Sequence, residues 1–265
     1  MTLRPLAAMP AAVRASVRGV LLDIDDTLTS HGRLTATAYT ALERLRDSGR
    51  LVIPITGRPA GWCDHIARMW PVDAVVGENG AFYMRYDAAA RRLTRRFVAD
   101  DATRRANRLR LAAIGERILA AVPGCALASD QLYREADLAI DFCEDVPPLP
   151  RGAVDRIVAL MEAEGMTAKV SSIHVNGWFG AWDKLTMTRT LLDEVFDIDL
   201  DHERERFVFA GDSPNDAPMF GFFPNSVGVA NVRQFIDRIA ALPAWVTERE
   251  AGAGFAELAT ALLDV

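Results

Sequence analysis

The stretch VLLDIDDTLT, Val20 to Thr29, decides how this chain folds. An apolar run, Gly19 to Leu22, stops in three carboxylates within four residues: Asp23, Asp25 and Asp26. Continuous rather than alternating apolar character marks a strand covered on both faces, as in a parallel sheet. The same pattern recurs in RLVIPITGRP (Arg50 to Pro59), DAVVGENG (Asp73 to Gly80), RFVFAGDSPND (Arg206 to Asp216) and NSVGVAN (Asn225 to Asn231). Helical periodicity separates these runs. TATAYTALERLRDSG sets Tyr39, Leu42 and Leu45 on one stripe and stops at Gly49, KLTMTRTLLDEVF does the same with Leu185, Leu191, Leu192 and Val195, and NVRQFIDRIAAL reads as a further helix. Strand and helix in alternation predict a doubly wound, Rossmann-like α/β sheet. Ligands of such sheets sit beyond the carboxyl ends of the strands, which is where each polar cluster falls.

The middle of the chain follows another pattern. AFYMRY and RLTRRFV read as strands, a helix is expected near Thr103 to Ala121, YREADLAIDF reads as a strand, and a helix up to Gly165 leads into TAKVSSIHVNGWF as a last strand. This predicts an α+β cap, residues 83–180, inserted into a core made of residues 1–82 and 181–265. The segment MTLRPLAAMPAAVRASVR reads as an untargeted, partly ordered leader, since Arg14 and Arg18 interrupt any apolar signal region.

Composition narrows the function classes. A net charge of −6 gives no basic footprint for nucleic acid. No apolar run approaches the roughly 20 residues of a membrane span. The three cysteines, Cys63, Cys125 and Cys143, lack paired or CxxC spacing and point to a reducing, cytoplasmic setting. Monomer and homodimer both remain open. Of the 30 basic residues only Lys169 and Lys184 are lysine. A lysine here is a candidate for work that arginine cannot do.

Like charges gathered at strand ends resist desolvation and are tolerated when a cation neutralises them. Oxygen ligands without His or Cys suit Mg²⁺, and Asp23, Asp25 and Asp212 form the natural set. The Thr56 hydroxyl and the amides after it, beginning with Gly57, can hold a phosphate oxygen. Lys184 offers a compact point charge to the same group. Taken singly, each motif has a plain structural use: DIDDT and Thr56 as helix caps, Lys184 as a solvated helix start, GDSPND as a tight turn. The plain uses do not account for all four falling at strand or helix ends on one side of the sheet. His174 and Asn176 alternate with Ile173 and Val175 in SSIHVNGW, placing both polar side chains on one strand face. With Arg58 in the TGR loop and Glu78 and Asn79 in GENG, they are candidate substrate contacts. His31, His65 and His202 have no ligand spacing and are expected on the surface.

In order along the chain, Asp23-Ile-Asp25-Asp26-Thr27, Thr56-Gly57-Arg58, Lys184 and Gly211-Asp212-Ser213-Pro214-Asn215-Asp216 resemble the four motifs of the haloacid dehalogenase superfamily. The insert between the second and third motifs resembles the type IIB cap, and GDSPND resembles the sucrose-phosphate and mannosyl-phosphoglycerate phosphatase group. The resemblance covers residues 18–82 and 181–265; Asp26 stands where many relatives carry Gly. It implies a Mg²⁺-dependent phosphatase acting on a phosphate monoester, a sugar phosphate or related small metabolite, through an aspartyl phosphate. It implies Asp23 as nucleophile and Asp25 as general acid and base, with the Asp25 carbonyl, Asp23 and Asp212 on the metal and Asp216 behind them. It also implies that Thr56, Gly57, Lys184 and Asn215 hold the phosphoryl oxygens. A phosphosugar mutase and a non-catalytic sugar-phosphate sensor are the rival readings.

Overall fold

The structure, a computed structural model, describes residues 3–264. A short strand β1 (Arg4–Pro5) and helix α1 (Ala11–Ser16) lead into β2 (Gly19–Leu22). Helix α2 (Ala36–Asp47), strand β3 (Leu51–Pro54), helix α3 (Ala60–Met69) and strand β4 (Val75–Gly77) follow. The hairpin β5 (Phe82–Asp87) and β6 (Arg92–Phe97) precedes α4 (Asp101–Ala121), β7 (Ala126–Leu127), β8 (Asp137–Asp141), α5 (Arg151–Ala163), β9 (Thr167–Val170) and β10 (His174–Trp178). The chain returns through α6 (Lys184–Phe196), α7 (Leu200–Glu203), β11 (Phe207–Gly211), α8 (Ala217–Phe222), β12 (Val227–Gly228), β13 (Trp245–Val246) and α9 (Ala251–Leu263).

Six strands form one parallel sheet in the order β1-β13-β12-β11-β2-β3. Strand β2 sits between β11 and β3, with both faces covered. Val20 and Leu22 enter the apolar cluster that holds Leu42, Leu45, Phe255 and Leu258 of α2 and α9. Leu21 enters the opposite cluster with Met187 and Leu191 of α6 and Phe220 of α8. All three β2 side chains are fully buried, each worth about 1.5–3 kcal/mol. That burial fixes the register, because a slip of one residue would exchange the faces.

The cap is a four-stranded antiparallel sheet, β7-β8-β10-β9, backed by α4 and α5 around Leu111, Ile114, Ile118, Ile157 and Met161. A third sheet, β4-β5-β6, joins the core through the bridge between Ile55 and Val76. Phe82 and Met84 of β5 are buried with the core residues rather than with the cap.

Three local expectations change. TAKVSSIHVNGWF is two antiparallel strands with a turn at residues 171–173, where the Ser171 hydroxyl accepts the Ile173 and His174 N–H groups. NVRQFIDRIAAL is not an α-helix: Ala230–Arg238 winds as 3₁₀ turns. Its start is tied down by Asn231, which donates to the Asp26 carbonyl and accepts the Ala251 N–H. The leader is built into the fold, with β1 on the sheet edge and Leu6 and Met9 buried; Met1 and Thr2 lie outside the described residues.

Candidate active site

Parallel pairing brings the acidic loops together. Leu22 lies beside Ala210 and Pro54, so the residues that follow each strand leave the sheet at one edge. The Asp23 N–H donates to the Ala210 carbonyl at 2.9 Å, which seats Asp23 next to the loop that carries Asp212. Carboxylate oxygens of Asp23, Asp212 and Asp216 lie within 4.8 Å of one another, all three residues buried.

Lys184 opens α6 and points into this group. Its Nζ lies 2.8 Å from Asp23 Oδ1 and 2.7 Å from Asp216 Oδ1. The helix start is fixed from two sides. Asp183 caps it by accepting the Thr186 N–H at 2.7 Å, and Gly80 packs beneath it. Gly80 has φ +106°, and a Cβ there would come within 2.0 Å of the Asp183 carbonyl oxygen, so GENG ends in glycine for both reasons. Asp216 is fixed as firmly: its Oδ2 accepts the Asp212 N–H at 3.1 Å. Gly211 permits that approach, since a Cβ there would stand 2.5 Å from Asp216 Oδ2.

Asp212 has two further partners, the Thr27 hydroxyl at 3.2 Å and Asn231 Nδ2 at 3.4 Å. Burial pushes the Asp23 carboxyl up to about 7; Lys184 opposes the rise, and Asp216 and Asp25 add to it. Burial, with Asp216 and Asp23 beside it, also raises Asp212 well above the usual carboxylate range. Three buried carboxylates against one ammonium leave an excess of negative charge that a small cation would neutralise. An all-oxygen set of this kind fits Mg²⁺. The Asp25 side chain stands outside the cluster.

Asp25 is held instead by Arg58. Arg58 Nε lies 3.0 Å from both Asp25 oxygens and Nη2 lies 2.8 Å from Oδ1. The same guanidinium reaches the cap, with Nη2 2.7 Å from Glu144 Oε1 and Nη1 3.3 Å from Asp130 Oδ2. Glu144 also lies 2.9 Å from His174 Nε2. Burial would raise the Glu144 carboxyl, but His174 and Arg58 beside it outweigh that and hold the group down at about 2.

Thr56 is fully buried at the end of β3. Its hydroxyl accepts the Arg58 N–H at 3.0 Å, which leaves its own proton free to donate. The cap of α3 is Pro59, so Thr56 is not a helix cap. Asn215 accepts the Ser213 hydroxyl at 2.7 Å. Asp23, Asp25, Gly57, Arg58, Asn215 and the cap residues His174 and Asn176 line one cleft between core and cap. The space left there is about 10 Å³, room for about one water.

The expected face of His174 and Asn176 does turn to the cleft, but both are buried and engaged, Asn176 donating to Asp137 at 2.9 Å. Glu78 does not line the cleft floor. Its buried carboxylate accepts the N–H groups of Ala60 (3.0 Å), Glu135 (2.9 Å), Ala136 (2.6 Å) and Asp137 (3.2 Å), joining the start of α3 to the entry of β8. Burial and the nearby Asp137 push Glu78 up to about 8, against the pull of Arg134 and the backbone N–H groups. Asn79 packs under Gly57, where a Cβ would come within 3.2 Å of its Nδ2. Glu78→Gln should destabilise the fold by about 2 kcal/mol, because an amide NH₂ would face backbone donors. Chemical denaturation measures this, and wild-type stability in the variant would refute the role. His31, His65 and His202 are exposed as expected.

Four participants were not anticipated: Asn231, Arg134, Asp130 and Glu144. Asn231 had a signal, since it ends the VGVAN run at the sheet edge. The other three had none, because they lie on cap loops whose partners are distant in sequence. Arg134 bridges the domains, donating to the Gly57 carbonyl at 2.8 Å and to Asp137 and Asp130 at 3.0 Å each.

The family model for haloacid dehalogenase-like hydrolases matches residues 20–105. No curated protein matches the sequence. Solved structures share the fold at low identity. The C-terminal domain of C. albicans trehalose-6-phosphate phosphatase is 13% identical, covers 100% of this chain and 99% of its own, and has a TM-score of 0.72. A Thermoplasma acidophilum protein is 20% identical, covers 94% of this chain and 99% of its own, with a TM-score of 0.69. The sucrose-phosphatase of Synechocystis is 15% identical, covers 93% of this chain and 98% of its own, with a TM-score of 0.64. The chain thus resembles the haloacid dehalogenase-like hydrolases, matching their family model over residues 20–105 and carrying their α/β core with an inserted cap.

Proposed function

We propose that this protein is a Mg²⁺-dependent phosphatase that hydrolyses a phosphate monoester of a small metabolite, a sugar phosphate by preference, through a covalent phosphoryl-Asp23 intermediate. The observation that carries this reading is the buried cluster of Asp23, Asp212 and Asp216 on Lys184 at the carboxyl edge of the parallel sheet. Asp23, Asp212 and the Asp25 carbonyl would hold the metal, whose charge would offset that of the phosphoryl group and the carboxylates.

In the first step an Asp23 oxygen attacks phosphorus, the bond from phosphorus to the ester oxygen breaks, and Asp25 delivers its proton to the departing alcohol. In the second step Asp25 takes a proton from water as that water attacks the phosphoryl group, and Asp23 is released. Lys184, Thr56, the Gly57 amide and Asn215 hold the phosphoryl oxygens as charge shifts between them. Asp25 must leave the Arg58 fork to do this work. A cleft of about 10 Å³ also cannot admit a phosphoryl group. We therefore assign substrate entry to displacement of the cap, taken as roughly residues 99–180 because the third sheet, which holds β5 and β6, packs Phe82 and Met84 with the core residues.

The Synechocystis sucrose-phosphatase was solved with sucrose and phosphate, and this supports a sugar phosphate here. Among the described residues no helix is long and apolar enough to cross a membrane. The three free cysteines fit a reducing cytoplasm.

The test is phosphate release over a panel of phosphorylated sugars and glycerates, with Mg²⁺ and with excess chelator. Turnover should fall at least about a hundredfold in chelator, since one removed charge-stabilising partner costs that much elsewhere. Undiminished turnover in chelator would contradict the metal site. Negligible phosphate release with a bisphosphate requirement would favour a mutase.

A further inference from the structure

We propose that the leaving group is an electrically neutral, hydroxyl-rich alcohol, and that Glu144 enforces this by occupying the cation site that a carboxylated substrate would need. The inference rests on the phosphatase reading above and extends it to the charge of the alcohol released.

Lys184 serves the phosphoryl side of the cleft. The cap side is served by Arg58, Arg134 and His174, all buried. Each already faces carboxylate. Arg58 is shared among Asp25, Glu144 and Asp130. Arg134 lies 3.0 Å from Asp130 and 3.0 Å from Asp137. His174 lies 2.9 Å from Glu144. Four carboxylates, Asp25, Asp130, Asp137 and Glu144, therefore stand against two guanidiniums, and three still do once Asp25 has left the Arg58 fork. Cap motion does not alter this tally: opening separates Arg58 from Glu144, and closing returns the carboxylate.

A substrate carboxylate would enter as a further anion, and among the described residues the cations lining this side of the cleft, Arg58 and Arg134, each still face two carboxylates. A desolvated anion without a partner is strongly disfavoured. A sugar hydroxyl meets no such barrier. It can donate to the Glu144 or Asp130 carboxylates, which as anions only accept, and it can accept from the Arg58 fork or the Asn176 amide. Sites that hydrogen-bond a substrate hydroxyl through buried charged groups discriminate strongly.

Glu144 is the residue that sets the filter. Asp130 and Asp137 are held inside the cap by Arg134. The Glu144 side chain is 25% exposed, and it lies against Arg58 of the core and His174 of the cap. Its loop is fixed independently, because Asp141 accepts the N–H groups of Cys143 at 2.9 Å, Glu144 at 2.8 Å and Asp145 at 2.8 Å. Removing the Glu144 charge takes one of three carboxylates off Arg58 and leaves the Arg134 pairs intact.

The experiment uses matched esters: glucose 6-phosphate against 6-phosphogluconate, glycerol 3-phosphate against 3-phosphoglycerate, and p-nitrophenyl phosphate as a common reference. Values of kcat/KM are measured with Mg²⁺ for wild type and Glu144→Gln. Wild type should favour the neutral member of the better pair by about tenfold or more, a modest expectation for like charges a few ångströms apart at a partly buried site. Glu144→Gln should narrow that ratio by about tenfold or more, mainly through a lower KM for the carboxylated ester. The inference is overturned if wild type prefers the carboxylated member, or if a folded Glu144→Gln leaves the ratio unchanged. It is equally overturned if the aryl ester is hydrolysed and neither pair is. Should the variant not fold, the wild-type ratio decides alone. Failure of all five esters to release phosphate would overturn the phosphatase reading instead.

Discussion

Asp23→Asn should abolish phosphate release, by roughly 10⁴-fold or more, the scale on which loss of a covalent nucleophile is felt. The amide keeps the shape of the side chain but cannot form the phosphoryl bond. The variant should still fold. Asp23 is buried beside Asp216 and Asp212, and its charge is opposed by that burial and by Asp216 and Asp25, so removing the charge also removes a source of repulsion. Lys184 keeps Asp216 at 2.7 Å as its counter-charge. Steady-state kinetics with thermal melting separate the two effects. A well-folded variant with appreciable Mg²⁺-dependent turnover would contradict covalent catalysis by Asp23.

The second large effect concerns Lys184. Lys184→Arg preserves charge and should lower turnover by about tenfold to a hundredfold, because misplacement by about 1 Å can cost about a hundredfold. The geometry gives the reason. Nζ lies within 2.8 Å of Asp23 and 2.7 Å of Asp216 in a residue only 4% exposed. A planar fork in that space must push the carboxylates apart or abandon one of them. Lys169 is the matched control. It is exposed on β9, and Lys169→Arg should leave kcat and KM within about twofold, as expected of a surface substitution of like charge. Equal turnover in Lys184→Arg and wild type would remove Lys184 from the phosphate site.

Much of the core was legible because parallel strands carry their function at one edge. A fully apolar run that stops at DIDDT, TGRP or GDSPND announces both the strand and its polar end, and three such stops together imply convergence. Lys184 was legible through the scarcity of lysine in an arginine-rich chain. The cap was legible only as a change of pattern. Glu144, Asp130 and Arg134 carry no local signature, since DFCEDVPPLP and DQLYREAD read as ordinary polar loops. What gives those residues a part in the site is packing against Arg58 and Gly57, 72 to 86 residues earlier in the chain. Glu78 shows the opposite error. It stands at a strand end like Asp23 and Asp212, yet its backbone is left-handed, with φ 44°, and the carboxylate turns inward to gather backbone donors. Position at the sheet edge could be read from pattern, but the direction of one side chain could not.

The proposed covalent step is open to direct capture. Wild-type protein turning over its best substrate with Mg²⁺ is quenched with hydroxylamine, digested and analysed by peptide mass spectrometry. Attack of hydroxylamine on an aspartyl phosphate expels phosphate and leaves a hydroxamate on the same carbonyl. The modification should appear at Asp23, require both substrate and Mg²⁺, and be absent from Asp25, Asp212 and Asp216. Sustained phosphate release with no hydroxamate at Asp23, or a hydroxamate on another of these acids, would contradict the assignment of Asp23 as the nucleophile.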